Sequence, residues 1–255
     1  MEQPLLFFST GYFMYIGRAI DTVVHEHHAL QIAISFEDTI EIISPGSILK
    51  HKAVIIGSDE PHECRTQNNT FLLINIDPEC KIGRGLKKAC LADKKIAALP
   101  VAMVEVLLEE IKPLLPDHTA VDRIFNITLQ FLRELSHTEG NEEMDDRITR
   151  VLEVLKQPGE VPLKISHLSA IVYLSPSRLI HLFTTQVGIP IRKYILWVRI
   201  LTAVQYIINA RDITDAALEA GFSDAPHFNR TFKRMFGLAP SFLLKNSQII
   251  QAYVK

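Results

Sequence analysis

Apolar residues follow a strand-like pattern in the first part of the chain. Up to about Asp77, short runs rich in β-branched residues are separated by turn-forming residues, which is typical of β-strands. Four of these runs are well defined: Gln31–Phe36, Thr39–Ile43, Ala53–Ile56 and Phe71–Ile76. We therefore predict β-structure over the first third of the chain.

From Gly85 onwards, apolar positions recur every three or four residues, which predicts helices. One helix contains Val101 and Ile111 and ends at Pro113, and another contains Ile124 and Leu135. A polar stretch with a glycine then predicts a linker. The predicted fold class is α+β, with a cupin-like β-barrel and its following helices before an all-α domain. The predicted domains are a sensor or dimerisation domain over 1–137 (strands over 1–84, helices over 85–137), a linker over 138–144, and an all-helical domain over 145–255.

The helical domain contains one helix-turn-helix pattern twice, over Ser169–Phe183 and Ala217–Phe232. Each copy begins with a small residue, and five residues later an apolar residue precedes a serine. Each then continues into a second helix whose apolar positions lie four apart. The copies are 48 residues apart, with one extra residue in the second. Because a helix-turn-helix unit places a recognition helix in the DNA major groove, two in tandem predict contact with successive grooves.

Cap signals place the ends of the predicted recognition helices. Ser175 followed by Pro176 is a strong helix start, and Asp224 is the predicted cap of the second recognition helix. Gly221 allows the turn in the second unit. A long apolar helix over Pro190–Asn209 separates the two units, and its Trp197 is predicted to be core. Recognition helices in consecutive grooves must lie about 34 Å apart, so we interpret this helix as the spacer.

Charge divides the chain in the same place as the apolar pattern. From Asp145 to Lys255 there are 14 basic and 8 acidic residues, a net charge of +6, whereas the first 144 residues have 13 and 21, a net charge of −8. A basic domain favours contact with phosphates over the alternative, a chance distribution of solvated surface charge. Composition is globular, and no apolar run is long enough to span a membrane. Three unpaired cysteines indicate a reducing cytoplasm.

The segment Ile213–Pro240 resembles the signature of the AraC/XylS family of bacterial transcription regulators. Its matching positions are Ala217, Gly221-Phe222, Phe228, Arg230, Phe232-Lys233, Gly237 and Pro240. Upstream, Leu174–Leu179, Leu182-Phe183, Gly188, Tyr194, Arg199 and Ala203 match as well, so the resemblance covers roughly 100 residues. Two positions depart from the family pattern: Ser169 stands where alanine is usual, and Leu243 stands where arginine is usual.

The resemblance implies two DNA-reading faces that differ from each other. Carried over by position, Ser177, Arg178 and His181 lie on the first face, with Thr185 on the same polar side. The second face has Ala225, Asn229 and Arg230, and Lys233 is a phosphate-contacting or structural residue. Arginine suits guanine, asparagine suits adenine, and hydroxyls suit several base edges. The faces should therefore read an asymmetric, directional sequence.

The N-terminal domain resembles a cupin-type sensor barrel only weakly. His25, His27 and His62 are candidate ligand-binding residues, since histidine clusters hold divalent ions in metal-binding cupins. Gln31 stands near the place of the glutamate that such sites commonly add. Metal binding, small-molecule binding and a purely structural or dimerising role all remain open, and our prediction includes neither a metal nor a cofactor.

The function implied by the resemblance is a sequence-specific transcription regulator, an activator controlled at its N-terminal domain, rather than an enzyme. Its expected partners are double-stranded DNA, RNA polymerase, a small-molecule effector and a second copy of the chain, without a membrane. One alternative is a metal-dependent cupin enzyme with an appended helical module. Another is a partner-binding protein whose helix-turn-helix units no longer contact DNA.

Overall fold

The structure, a computed structural model, describes residues 5–18, 24–65, 69–117, 120–138, 144–156, 164–187, 189–209, 212–236, 239–241 and 251–254. Most of the predicted linker lies outside these residues, as do Gly188, Gly237 and Leu243 of the family pattern. The domain boundaries therefore stay a prediction. No helix in the described part of the chain has the length and apolar character needed to cross a membrane.

Ten strands form two sheets in the described part of the chain. Their bounds are β1 Leu5–Ser9, β2 Tyr12–Arg18, β3 Leu30–Ser35, β4 Ile40–Ser44, β5 Ser47–His51, β6 Ala53–Ile56, β7 Glu63–Arg65, β8 Thr70–Ile76, β9 Ile96–Ala98 and β10 Gln251–Val254. The larger sheet has the order β10-β1-β2-β8-β3-β6-β9 and the smaller has the order β5-β4-β7. Every pairing is antiparallel except that between β1 and β10.

The four strands predicted from short β-rich runs are present to within one residue at each end, as β3, β4, β6 and β8. β3 is an inner strand of the larger sheet, between β6 and β8, and all six of its residues are buried. Burial on both faces explains its nearly continuous apolar sequence. The structure thus shows an α+β fold with an N-terminal β region. Both sheets are open over the described residues, so a closed cupin-like barrel is not confirmed.

Nine helices lie in the described part of the chain. They are α1 Lys81–Leu86, α2 Val101–Ile111, α3 Val121–Leu135, α4 Asp146–Lys156, α5 Ile165–Ile171, α6 Pro176–Val187, α7 Ile191–Ile208, α8 Ile213–Glu219 and α9 Ala225–Phe236. A π-helical turn over Lys87–Leu91 follows α1, and a 3₁₀ turn over Lys112–Leu114 follows α2. The nitrogen of Pro113 has no hydrogen to donate, so the α-helical hydrogen bonding stops before it. The chain continues there as the tighter 3₁₀ turn.

Two sequence predictions are wrong in the placement of strands. Ile96–Ala98, inside the segment predicted to be helical, is strand β9 and pairs with β6. Gln251–Val254, in the domain predicted to be entirely helical, is strand β10 and pairs with β1. Both strands are short and lie at the two edges of the larger sheet. Their pairing depends on partners far away in the sequence, so local periodicity does not indicate them.

The N-terminal and C-terminal regions share one continuous apolar core. Trp197 on α7 is buried, and its Nε1–H donates to Asp77 Oδ2 over 2.8 Å, directly after β8. The rings of Phe8 on β1 and Phe232 on α9 lie 6.5 Å apart. The predicted core position of Trp197 is confirmed, and the structure adds a polar contact between the two regions.

Candidate nucleic-acid interface

The two helix-turn-helix units repeat in hydrogen bonding as well as in sequence. In the α5–α6 unit, Leu174 N donates to Ser169 O over 3.0 Å, and in the α8–α9 unit, Phe222 N donates to Ala217 O over 3.0 Å. Each pair closes the first helix of its unit in the same way, 48 residues apart. The backbone then turns through positive φ at equivalent positions, Tyr173 (φ 53°) and Gly221 (φ 86°). The turn predicted at Gly221 is therefore confirmed.

The extra residue of the second unit lies between the turn and the cap of the recognition helix. In the first unit, Arg178 N donates to the Ser175 hydroxyl over 3.3 Å. In the second, His227 N donates to Asp224 Oδ1 over 2.6 Å. Each acceptor satisfies a free amide in the first turn of its helix, as the sequence predicts. The hydrogen bond from the His227 backbone lowers the pKa of Asp224, so this cap is charged at neutral pH.

Each recognition helix buries one face and exposes the other. In α6, Leu179 and Phe183 are fully buried, and the Phe183 ring packs edge-on against Tyr194 at 5.4 Å between ring centroids. In α9, Phe228 lies 5.1 Å from Phe222 and 5.6 Å from Phe232. These apolar contacts determine which side of each helix faces solvent. The side chain of Phe236, predicted to extend the α9 stripe, lies outside the described residues.

The candidate DNA-binding residues lie on the outward faces of α6 and α9. Ser177, Arg178, His181 and Thr185 are exposed on α6; Asn229, Arg230 and Lys233 are exposed on α9, with Ala225 half-buried at its start. The Thr185 hydroxyl donates to His181 O over 2.9 Å, which leaves it able to accept a hydrogen bond from outside. The candidate DNA-binding residues thus form two separate groups, one on α6 and one on α9.

The cations on these faces form no salt bridge with acidic residues in the part of the chain that the structure describes. Among the salt bridges of the described residues, none involves Arg178, Arg230 or Lys233. Contact with DNA would therefore not require an intramolecular ion pair to break first. Phosphate contact by such groups supplies salt-dependent affinity, while base contact supplies specificity.

Tyr173 is a surface residue that we did not predict. It is 93% exposed and adopts positive φ in the turn of the first unit. A large L-amino acid rarely adopts that conformation. The 48-residue repeat could have revealed it, since Tyr173 aligns with Gly221. The first unit thus presents an aromatic ring beside its recognition helix where the second presents no side chain.

The structure brings together all three candidate histidines of the N-terminal domain. The ring centroids of His25 and His62 lie 4.4 Å apart, those of His27 and His62 5.2 Å, and those of His25 and His27 5.6 Å. His27 and His62 are buried, whereas His25 is half-buried. Burial lowers the pKa of His27 and lowers that of His62 to about 4, so both rings are neutral at physiological pH. We refer to these three residues as the histidine trio.

A pocket of about 320 Å³ lies in the N-terminal region. Asp59 and Glu60, which precede His62 in the chain, form part of its wall. Three lysines also line it: Lys87, Lys94 and Lys95. Lys95 Nζ lies 3.0 Å from Glu60 Oε2, so one of these amino groups is already paired. The pocket wall thus combines charged side chains with apolar ones such as Leu30 and Leu91.

Two capped helix-turn-helix units, each with an exposed polar recognition helix, define a DNA-binding protein of the tandem helix-turn-helix class. Residues 168–246 match a family model described as a helix-turn-helix domain. The matched segment starts just before the first turn and includes both recognition helices.

Similar proteins include curated regulators. The chain is 26% identical over 228 residues to LumQ of Photobacterium leiognathi, a probable transcriptional regulator, covering 85% of this chain and 90% of LumQ. It is 30% identical over 183 residues to VirF of Yersinia enterocolitica, a virulence regulon transcriptional activator, covering 70% of this chain and 62% of VirF. A solved structure of apo ToxT from Vibrio cholerae aligns with a TM-score of 0.47 and 11% identity, covering 93% of this chain and 98% of that chain. That TM-score is too low to support a conclusion.

The chain belongs to the AraC/XylS family of bacterial transcription regulators, through its C-terminal pair of helix-turn-helix units. It is a DNA-binding transcription regulator.

Proposed function

We propose that this regulator is a transcription activator that reads an asymmetric site with α6 and α9. The observation that carries the proposal is the pair of exposed faces, each with cations free of salt bridges in the described residues. The faces differ in chemistry, because one offers Arg178 and His181 and the other Asn229 and Arg230. VirF is named as an activator, which supports the direction of regulation.

We further propose that the N-terminal region is a cupin-like pair of sheets that binds a ligand and so receives the signal. We also propose that the protein acts in the cytoplasm. The shared core supports this role, since a ligand that shifts the N-terminal sheets would also move α7 and α9. The pocket lined by Lys87, Lys94 and Lys95, and the histidine trio, are the candidate effector sites. A second copy of the chain and RNA polymerase complete the proposed assembly.

Replacing Arg230 with alanine is expected to weaken specific DNA binding about 10-fold to 100-fold. A good bidentate contact from arginine to guanine contributes about 1–3 kcal/mol of discrimination. The measurement is fluorescence anisotropy of the full chain on a DNA site selected by that chain from a random-sequence pool. Arg123→Ala is the matched control, since Arg123 is an exposed arginine on α3, away from both recognition helices. Equal losses for both variants would contradict the assignment of α9.

Alanine at Arg178 or at His181 is expected to relax sequence preference in one half of the site only. Both residues lie on α6, and α9 would continue to read the other half unchanged. Repeating the selection from the random-sequence pool with each variant measures this directly. A preference that relaxes equally in both halves would refute the separate reading roles of α6 and α9.

The enzyme alternative rests on the histidine trio alone. The matched family model and the related regulators favour the regulator. If the full chain selects no sequence from the random pool and its residual DNA binding is insensitive to salt, the partner-binding alternative gains support. Specific, salt-dependent binding would exclude that alternative, because phosphate contacts release counterions.

A further inference from the structure

The backbone itself brings the histidine trio together. His25 and His62 form an isolated antiparallel bridge in which each backbone N–H donates to the other's carbonyl over 2.9 Å. Directly opposite residues of such a bridge project to the same side, which places the two rings in contact. His27 follows His25 by two residues. One nitrogen from each of the three rings lies within 4.8 Å of the other two.

Hydrogen bonds orient the two buried rings as those of metal ligands are oriented. His62 Nδ1 lies 2.8 Å from Glu60 O, and His27 Nδ1 lies 3.0 Å from Ala29 O. A carbonyl only accepts, so each Nδ1 carries the proton and each Nε2 keeps its lone pair. Metal-binding histidines characteristically donate their second N–H to a carbonyl or carboxylate in this way.

One of these lone pairs lacks a partner. His62 Nε2 is fully buried and has no hydrogen-bond partner among the described residues. Buried polar atoms are nearly always satisfied, so an exception needs an explanation. His27 Nε2 lies 2.6 Å from Gln31 Oε1, so both nitrogens of this ring face oxygen acceptors. Rotating the Gln31 amide by about 180° places its NH₂ group against Nε2, and a metal ion would replace that donor at the lone pair. Half-buried His25 leaves a route from solvent to the trio.

We propose that His25, His27 and His62 bind one divalent transition-metal ion, and that the bound ion shifts the segment 25–28 against α9. Three imidazoles without a carboxylate suit Zn²⁺, Co²⁺, Ni²⁺ or Cu²⁺, whereas Ca²⁺ and Mg²⁺ prefer oxygen ligands. Zinc–nitrogen bonds of about 2.0–2.1 Å place tetrahedral ligand atoms roughly 3.4 Å apart. The present limit of 4.8 Å between the nitrogens exceeds that spacing, so binding of an ion would draw the three rings inward.

The same segment contacts the second recognition helix. His28, the residue after His27, donates from its backbone N to Arg234 O in the last turn of α9, over 2.8 Å. Its ring lies 3.1 Å from Asp59 Oδ2, and Asp59 N donates to His27 O. Closure of the trio would move this hydrogen-bonded segment, and with it the contact to α9. This coupling rests on the proposed reading role of α9, whereas the metal site does not.

Titration of the chelator-treated full chain with Zn²⁺ tests the site by calorimetry, and Co²⁺ tests it by its visible absorption. We expect one ion per chain, with at least about 100-fold weaker binding in His25→Ala and His62→Ala, since even outer-shell changes cost about 10–100-fold. His51→Ala is the matched control, because His51 is half-buried on β5 outside the trio. Because His25 is only half-buried, we expect His25→Ala to keep its fold, and circular dichroism checks this. Absence of Zn²⁺ binding, or equal binding by His25→Ala and His51→Ala, would overturn the site.

Two further readouts test the coupling. Zn²⁺ should change the affinity of the chain for its selected DNA site at least about fivefold, the lower end of allosteric coupling, and should not do so in His25→Ala. It should also shift the emission of Trp197, the single tryptophan of the chain, because Trp197 on α7 belongs to the same apolar core as Phe228 and Phe232 on α9. This second readout needs no DNA. Bound Zn²⁺ with neither effect would overturn the coupling and leave the site intact. If no DNA site is selected, the proposed reading role fails, while calorimetry and Trp197 emission still decide the metal site and the movement.

Discussion

Replacing Trp197 with alanine is expected to destabilise the protein by about 3–5 kcal/mol, the usual cost of truncating a large buried aromatic side chain. Trp197 is 1% exposed and is among the largest fully buried side chains of the described residues. The truncation also removes the donor that holds the buried Asp77 carboxylate. Both the lost packing and the lost hydrogen bond weaken the contact between the N-terminal and C-terminal regions.

Urea denaturation of the full chain measures this loss. Because the core is continuous across both regions, we expect a lower midpoint with an unchanged slope. Gln205→Ala is the matched control, since Gln205 is exposed on the same helix. A loss below about 1 kcal/mol, less than a typical buried truncation costs, would contradict the role of Trp197 as the link between the two regions.

A milder variant, Trp197→Phe, separates the hydrogen bond from the packing. Trp197→Phe keeps an aromatic ring on α7 but removes the Nε1–H, so a buried carboxylate loses one donor. The expected cost of the missing donor is about 1–3 kcal/mol, in addition to that of the smaller ring. Asp77 Oδ1 still accepts from Glu79 N over 2.9 Å, which limits the loss to one of its two oxygens.

Local signals in the sequence were sufficient for the helical region. Pro190 and the apolar spacing after it predicted a helix over Pro190–Asn209, and α7 spans Ile191–Ile208. Ser175 and Asp224 were predicted as caps and are caps. These features depend on contacts within one or two turns, which is the range over which side-chain chemistry determines backbone structure.

The long-range contacts were not predictable in the same way. β10 pairs with β1 at the opposite end of the sequence, and Trp197 binds a carboxylate 120 positions away. No periodicity indicates such partners, because each depends on how distant segments pack. The histidine trio lies between these extremes. His25, His27 and His62 could be selected by residue type, but the backbone bridge that joins His25 to His62 could not.

Replacing Phe228 with alanine is expected to abolish reading by α9 while leaving reading by α6 in place. Phe228 is fully buried between the rings of Phe222 and Phe232, so its truncation should cost about 3–5 kcal/mol of unfolding free energy. The truncation therefore destabilises the α8–α9 unit, whose exposed face includes Arg230. Since Phe232 also lies 6.5 Å from Phe8, the loosened helix should lose its contact with the N-terminal sheet.

Footprinting on the selected site distinguishes this local effect from general unfolding. We expect protection to disappear over the half read by α9 and to persist over the half read by α6. Phe228→Leu is the matched control, since it keeps most of the apolar volume and should retain both halves. Complete loss in both halves, with circular dichroism showing that the helices remain, would mean that α6 binds only together with α9. The two helix-turn-helix units would then bind DNA only as one cooperative unit. In that case α7, which separates them in the chain, and the contact of its Trp197 with Asp77 would determine their relative position.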